Sequence, residues 1–282
     1  MIPIVDTHEH LWDLNRFHLP WLEGGGPLAK DHLPEDYQRV SNGLNVVKTV
    51  YMEVDVTPEQ HVAEAEYVLG LCERSDNPMV GATIGGRPAE SGFADYIARF
   101  KGVSAIKGVR QVLHGGTPPG FCLSEEFVRG IRLLGENGLH FDLCLRSVEI
   151  PDGAKLAELC PETRFVLDHC GNADVQASDP SQWRRDIAAI AERPNVICKI
   201  SGIVASAKPD SWTPADLSPI ILHCTACFGP DRIVFGSDWP VCTLAASYRQ
   251  WVEALQTIVR DWSETDQRKL FHDNAVRFYT LP

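Results

Sequence analysis

The chain lacks any apolar run long enough to cross a bilayer, for which a helix needs about 20 residues. It also lacks an N-terminal basic segment followed by an apolar core, so no secretory leader is expected. Positive charge is in short supply: 26 Lys and Arg stand against 38 Asp and Glu, a formal net charge of −12. A nucleic-acid surface needs clustered cations, and an anionic membrane repels such a balance. Neither partner is expected, although one arginine inside a closed site still suits a small anion. Repeats, low-complexity tracts and an interdomain linker are missing. So is a Gly-x-Gly-x-x-Gly fingerprint after the first β segment, which argues against a dinucleotide-binding doubly wound sheet.

Cysteine is present but not in the pattern of a disulfide scaffold. Nine is an odd number, and the residues are scattered along the chain. A reducing, cytoplasmic setting is the expectation. Cys224-Thr225-Ala226-Cys227 is formally C-x-x-C. Without a second pair it reads as two thiols on one helix face.

With 282 residues, 44% apolar and 23% charged, the chain is expected to form one soluble domain, 1–282. Eight β-rich segments recur: Ile2–Thr7, Val46–Val54, Met79–Ile84, Val103–Val112, Leu139–Leu145, Arg164–Asp168, Val196–Ile200 and Arg232–Phe235. Each is bounded by Gly, Pro or Asp, as buried parallel strands tend to be. Helices are expected over Pro58–Arg74, after the N-cap Ser124, over Pro180–Arg193, over Ser247–Val259 and over Ser263–Phe278. Alternation of this kind over this length predicts an α/β fold of the (β/α)8 TIM-barrel type. The long stretch 11–42 interrupts the rhythm just after the first strand. It is expected to lie over the barrel mouth as a binding loop.

A barrel gathers all strand C-termini around one mouth. The first strand ends in His8-Glu9-His10. Alternation points both imidazoles the same way, with Asp6 on their side, and makes half of a divalent-metal site. Other rim candidates are Glu53 and Asp55, Lys107 and Arg110, Arg146, Asp168 and His169, Lys199 and Ser201, and Ser237 and Asp238. Lys199 reads as an interior ion-pair partner. Hydrolysis at a carbonyl needs activated water, a polarised carbonyl and a proton for the leaving group. Asp238 is the candidate general base. A Zn²⁺ ion held by His8, His10 and Asp238 would acidify water and polarise the carbonyl. Arg110 and Arg146 suit carboxylate or hydroxyl groups. Trp12, Trp21 and Trp239 are candidates to flank substrate, and His114 follows the Arg110 strand.

Seven stretches stand in order along the chain, beginning with Val-Asp-Thr-His-Glu-His-Leu-Trp-Asp at 5–13, Ile-Lys-Gly-Val-Arg-Gln-Val-Leu at 106–113 and Phe-Asp-Leu-Cys-Leu-Arg at 141–146. Further on stand Val-Leu-Asp-His-Cys-Gly-Asn at 166–172, Lys-Ile-Ser-Gly at 199–202, Phe-Gly-Ser-Asp-Trp-Pro-Val at 235–241 and Asn-Ala-Val-Arg-Phe-Tyr at 274–279. In this ordered set the chain resembles the amidohydrolase superfamily, in particular its sugar-lactone lactonase branch. The resemblance implies a TIM barrel whose metal and catalytic set is His8, His10, His169 and Asp238. Substrate contacts are expected from the rim residues Arg110, Trp12, Glu53, Arg146, Trp239 and Lys107. Two departures from the superfamily pattern matter. Lys107 sits inside Lys-Gly-Val-Arg rather than at a metal-bridging position, and no histidine ends strand five. One divalent metal, zinc first, or none is therefore expected, not two. The implied substrate is a small lactone of a sugar acid or a related carboxylic acid. A non-oxidative decarboxylase and a catalytically inactive binding barrel are the alternatives, and a homo-oligomer stays open.

Overall fold

A computed structural model describes residues 2–282. Eight parallel strands pair in sequential order, β1 to β8. They are β1 Ile4–Glu9, β2 Val46–Met52, β3 Met79–Gly85, β4 Ile106–Val112, β5 His140–Cys144, β6 Phe165–Leu167, β7 Val196–Ile200 and β8 Ile233–Phe235. The barrel closes past the end of β8, where Asp238 N donates to His8 O at 2.9 Å and His10 N to Trp239 O at 2.8 Å. The helices outside are α1 Pro34–Ser41, α2 His61–Cys72, α3 Phe93–Ala98, α4 Glu125–Glu136, α5 Ile150–Leu159, α6 Ser181–Ala191, α7 Pro214–Phe228 and α8 Tyr248–Ile258. A final helical stretch, 264–278, contains a π-helical turn at Lys269–Asp273. No helix among the described residues is long and apolar enough to cross a membrane.

Local chemistry explains several boundaries. Ser124 caps α4 by accepting from Phe127 N, and Ser247 caps α8 with Gln250 answering from the third position. The strand expected from Val103 starts at Ile106, because turn hydrogen bonds from Val103 N to Phe100 O and from Ile106 N to Val103 O use the preceding residues. Helices α1, α3, α5 and α7 were not evident in the sequence. Helix α3 is only six residues long; each of the others starts with a proline in its first turn, and α7 carries a second, Pro219. Proline is tolerated at a helix start but blurs the helical pattern. Helix α1 also lies within 11–42, so that segment is not irregular throughout.

The large core packs between the barrel wall and the helices. A smaller cluster fills the barrel itself: Val5, Val50, Val166, Ile197 and Val234, closed off by Ala275, Tyr279 and Leu281. Val5, Val166, Ile197 and Val234 are each the second residue of their strand, so this apolar plug lies toward the strands' N-terminal ends.

One feature of β1 decides where the site lies. Asp6 pairs with Thr49 and Glu9 with Tyr51, so three steps on β1 match two on β2. This bulge inserts one residue and shifts the alternation. Asp6 consequently faces outward, against the expectation that it shares the histidines' side. Its Oδ2 accepts from Tyr37 OH at 2.8 Å and Tyr248 OH at 3.2 Å, on helices α1 and α8.

Candidate active site

His8 and His10 point into the barrel mouth, their Nε2 atoms 3.1 Å apart. Asp238, just past β8, brings Oδ1 to 3.3 Å from His10 Nε2 and 3.6 Å from His8 Nε2. All three side chains are nearly buried. His10 Nδ1 lies 3.0 Å from Met52 O. A carbonyl only accepts, so Nδ1 carries a proton toward it, and Nε2 is the nitrogen turned to Asp238.

His8 rests on a network inside the barrel. Lys199 Nζ is 3.2 Å from His8 Nδ1, donates to Asp142 Oδ2 at 2.6 Å and pairs with Asp168 Oδ1 at 3.0 Å. Burial first, then the Lys199 charge, pushes the His8 pKa well below its ordinary value, so the ring is neutral. Burial alone would raise Asp168, but Lys199 and then His8 hold it well below the usual carboxylate range. Burial opposes the Lys199 charge as well, and Asp142 and Asp168 raise its pKa regardless. Arg110 closes the ring of charges. Its Nε donates to Glu53 Oε1 at 2.6 Å, its Nη2 to Glu53 O at 2.7 Å, and its Nη1 lies 3.3 Å from His8 Nε2.

His169 arrives differently. His169, Cys170, Gly171 and Asn172 all have positive φ, near 53°, 52°, 69° and 51°. A left-handed turn costs roughly 1–2 kcal/mol per non-glycine residue, so its surroundings must enforce it. Asn172 Nδ2 donates to Leu145 O at 2.6 Å and Trp183 Nε1 to Cys170 O at 2.9 Å. His169 Nδ1 meets Ser201 Oγ at 2.9 Å. Gly202 is required opposite, because a Cβ there would fall 2.2 Å from His169 Nδ1. The turn carries His169 to the mouth, with its ring 4.5 Å from that of His8.

Above these groups lies a cavity of about 860 Å³. His10, Arg110, His169 and Asp238 line its floor, and Asp55, His114, Asn172 and Asp174 add polar walls. Burial first, then the Arg110 charge, lowers the His114 pKa, so that ring is neutral as well. The loop 11–42 contributes Trp12, Pro20 and Trp21. The two indoles meet edge to face at 5.4 Å, and Trp21 Nε1 donates to Val54 O at 2.8 Å.

The remaining expected contacts sit elsewhere. Lys107 and Arg110 are three residues apart on one strand, so alternation sends them to opposite faces. Lys107 Nζ binds Thr280 O at 3.2 Å, outside the mouth. Glu53 is fully buried behind Arg110, orienting it rather than meeting the cavity. Trp239 packs edge to face on His32 and Tyr37. Arg146 is drawn to Glu149 Oε1 at 2.5 Å and to Thr117 O at 3.1 Å. None of these four lines the cavity. Lys199 is the interior ion-pair partner expected, but its partner Asp142 was not singled out. The available signal was a lone lysine at the fourth place of the apolar strand Val-Ile-Cys-Lys-Ile.

The donor set can be tested against a metal. Ligands at ~2.1 Å and tetrahedral angles lie ~3.4 Å apart. His8 Nε2, His10 Nε2 and Asp238 Oδ1 stand 3.1–3.6 Å apart, so their spacing fits one divalent ion. His169 does not join that group; it clusters instead with His8 and Asp168.

A family model described as amidohydrolase matches residues 5–281. An L-fucono-1,5-lactonase of Burkholderia multivorans is 27% identical over 99% of this chain and 96% of that one. An L-rhamnono-gamma-lactonase of Scheffersomyces stipitis is 23% identical over 99% and 98%. The crystal structure of a Burkholderia multivorans amidohydrolase with bound zinc superposes with a TM-score of 0.88 at 26% identity, over 99% of this chain and 100% of that one.

Proposed function

The chain belongs to the amidohydrolase family, and on that footing we propose that it opens the ring of a neutral, hydroxylated lactone by water attack at the carbonyl. The observation that carries this reading is the triangle of His8 Nε2, His10 Nε2 and Asp238 Oδ1, of which His10 and Asp238 line the cavity and His8 lies buried just behind them. The lactonase names of its relatives point the same way.

Asp238 is the general base: its carboxylate takes the proton of the attacking water and returns it to the leaving alkoxide. His8, His10 and Asp238 are the residues that would hold a divalent ion. Such an ion supplies Lewis acidity, acidifying water and polarising a carbonyl. Arg110, clamped by Glu53, is fixed before substrate arrives, with its Nη1 edge beside His8 Nε2 at the cavity floor, from where it can polarise the reacting carbonyl. His169, held by Ser201, presents its other ring nitrogen to the cavity. Trp12 and Trp21 exclude water from one side of the ring.

Charge matching bears on the substrate. Arg110 is already met by Glu53 and Asp168, and Asp55, Asp174 and Asp238 line the same cavity. A substrate carboxylate would find no unmatched cation on that lining. Neutral aldonolactones are therefore favoured over dicarboxylate lactones.

The test is acid release from neutral five- and six-membered aldonolactones beside dicarboxylate lactones, using protein as purified, chelated and zinc-reloaded. Asp238→Asn should lower kcat about 10²–10⁴-fold, the usual worth of a positioned acid–base group, with the fold intact. Full activity in that variant removes Asp238 as base. Silence on every lactone sinks the lactonase reading, and an aromatic carboxylate becomes the next substrate. A chelator-sensitive rate restored by zinc assigns the ion to the donor triangle.

A further inference from the structure

Three cysteines converge away from the reaction site. Cys170 belongs to the left-handed turn, Cys198 to the outer face of β7, and Cys224 to the inner face of α7. All are fully buried, and their Sγ atoms lie within 4.8 Å of one another. The Cys224-x-x-Cys227 spacing is not what joins them. Cys227 faces elsewhere, with Sγ 3.6 Å from His223 Nε2. No fourth His, Cys, Asp or Glu among the described residues belongs to this cluster. Lys199, next to Cys198, turns its charge into the barrel toward Asp142 and Asp168.

Each of these facts narrows the ligand. Zinc prefers a fourth donor, and none is offered. A monovalent soft ion on three thiolates leaves two negative charges in a pocket with no cation, which burial penalises. A trivalent thiophilic centre on three thiolates is neutral. Sulfur ligands at ~2.3 Å around one centre stand about 3.5–4 Å apart, a small contraction of the present triangle.

We propose that Cys170, Cys198 and Cys224 form a three-thiol site for trivalent arsenic, and that its occupation inhibits the enzyme through the turn that carries His169. Arsenous acid, As(OH)₃, condenses with the three thiols. Three As–O bonds break, three As–S bonds form, each thiol proton leaves with a hydroxide as water, and no oxidation state changes. Drawing the sulfurs together pulls on Cys170, whose neighbour His169 lines the cavity.

The experiment is an arsenite titration of the reduced protein, read by native mass spectrometry and by the ultraviolet absorbance of arsenic–thiolate bonds, with hydrolysis measured in parallel. One arsenic per chain is expected, released by a dithiol, with activity falling as occupancy rises. Cys198→Ala and Cys224→Ala should each weaken binding by more than the about 10–100-fold that losing an outer partner of a metal ligand costs. Cys72→Ala and Cys227→Ala should bind as wild type. Circular dichroism verifies that each variant folds. Absence of arsenic on the wild type, binding that survives Cys198→Ala and Cys224→Ala, or loss with Cys227→Ala overturns the site. Full occupancy with undiminished activity overturns the link to His169. The binding arm needs no substrate, so it is read independently of the reaction proposed above.

Discussion

The two ends of the barrel interior are built on opposite principles. Toward the strands' N-terminal ends the lumen is filled by valines, Ile197, Tyr279 and Leu281, which need only fit. Toward the mouth it is filled by Asp142, Lys199, Asp168, His8, Arg110 and Glu53, all buried and ionic or hydrogen-bonded. An apolar plug gains about 0.8 kcal/mol per buried methylene and tolerates small changes of shape. A buried charge network stands only while every member is matched, because one unpaired ion costs several kcal/mol. The lower end therefore secures the fold, and the upper end holds His8 and Arg110 in place before substrate arrives.

Four changes break or sharpen that contrast. Lys199→Met removes the cation shared by Asp142 and Asp168, leaving His140 beside the first and Arg110, 3.7 Å away, beside the second, and urea unfolding should show a loss of about 3–5 kcal/mol. A loss below about 1 kcal/mol would mean that the upper layer tolerates change as an apolar core does. At the other end, Leu281→Ala should cost about 2 kcal/mol, with kcat unchanged. A fall in kcat there would show the two ends to be coupled.

On β1 itself the outward-facing Glu9 sharpens the comparison. Burial raises its pKa from 4.5 to about 8. The native state thus keeps a proton that the unfolded chain releases, so stability declines as pH rises between those values, by up to about 1.4 kcal/mol per pH unit. Glu9→Gln should flatten that decline in unfolding midpoints taken from pH 5 to 8; an unaltered slope would place the effect on another group. The smallest change is expected at Trp21, 43% exposed on the mouth loop. Trp21→Ala should shift stability by no more than about 0.5 kcal/mol while raising KM and sparing kcat.

The barrel was readable because its strands are short apolar runs bounded by Gly, Pro or Asp and recurring along the chain, a pattern that survives without any knowledge of contacts. His8, His10 and Asp238 were readable because strand ends in such a fold converge. Lys107 was misplaced by treating a strand's polar residues as one group, when alternation alone separates it from Arg110. Arg146 and Trp239 were placed by proximity to strand ends, but Glu149 and the His32–Tyr37 pair claim them. Asp6 was misplaced for a reason that the sequence does not display: the bulge depends on pairing with β2.

By itself, then, the order of residues determined the alternating fold, the His-x-His strand end and the aspartate that meets it, since periodicity and strand direction are local properties. Only the tertiary structure decided which charges neutralise one another. It decided that Glu53 serves Arg110 rather than substrate, that a left-handed turn delivers His169, and that three cysteines far apart in the chain share one pocket. Those outcomes depend on distances between segments, and spacing along a chain carries no measure of them.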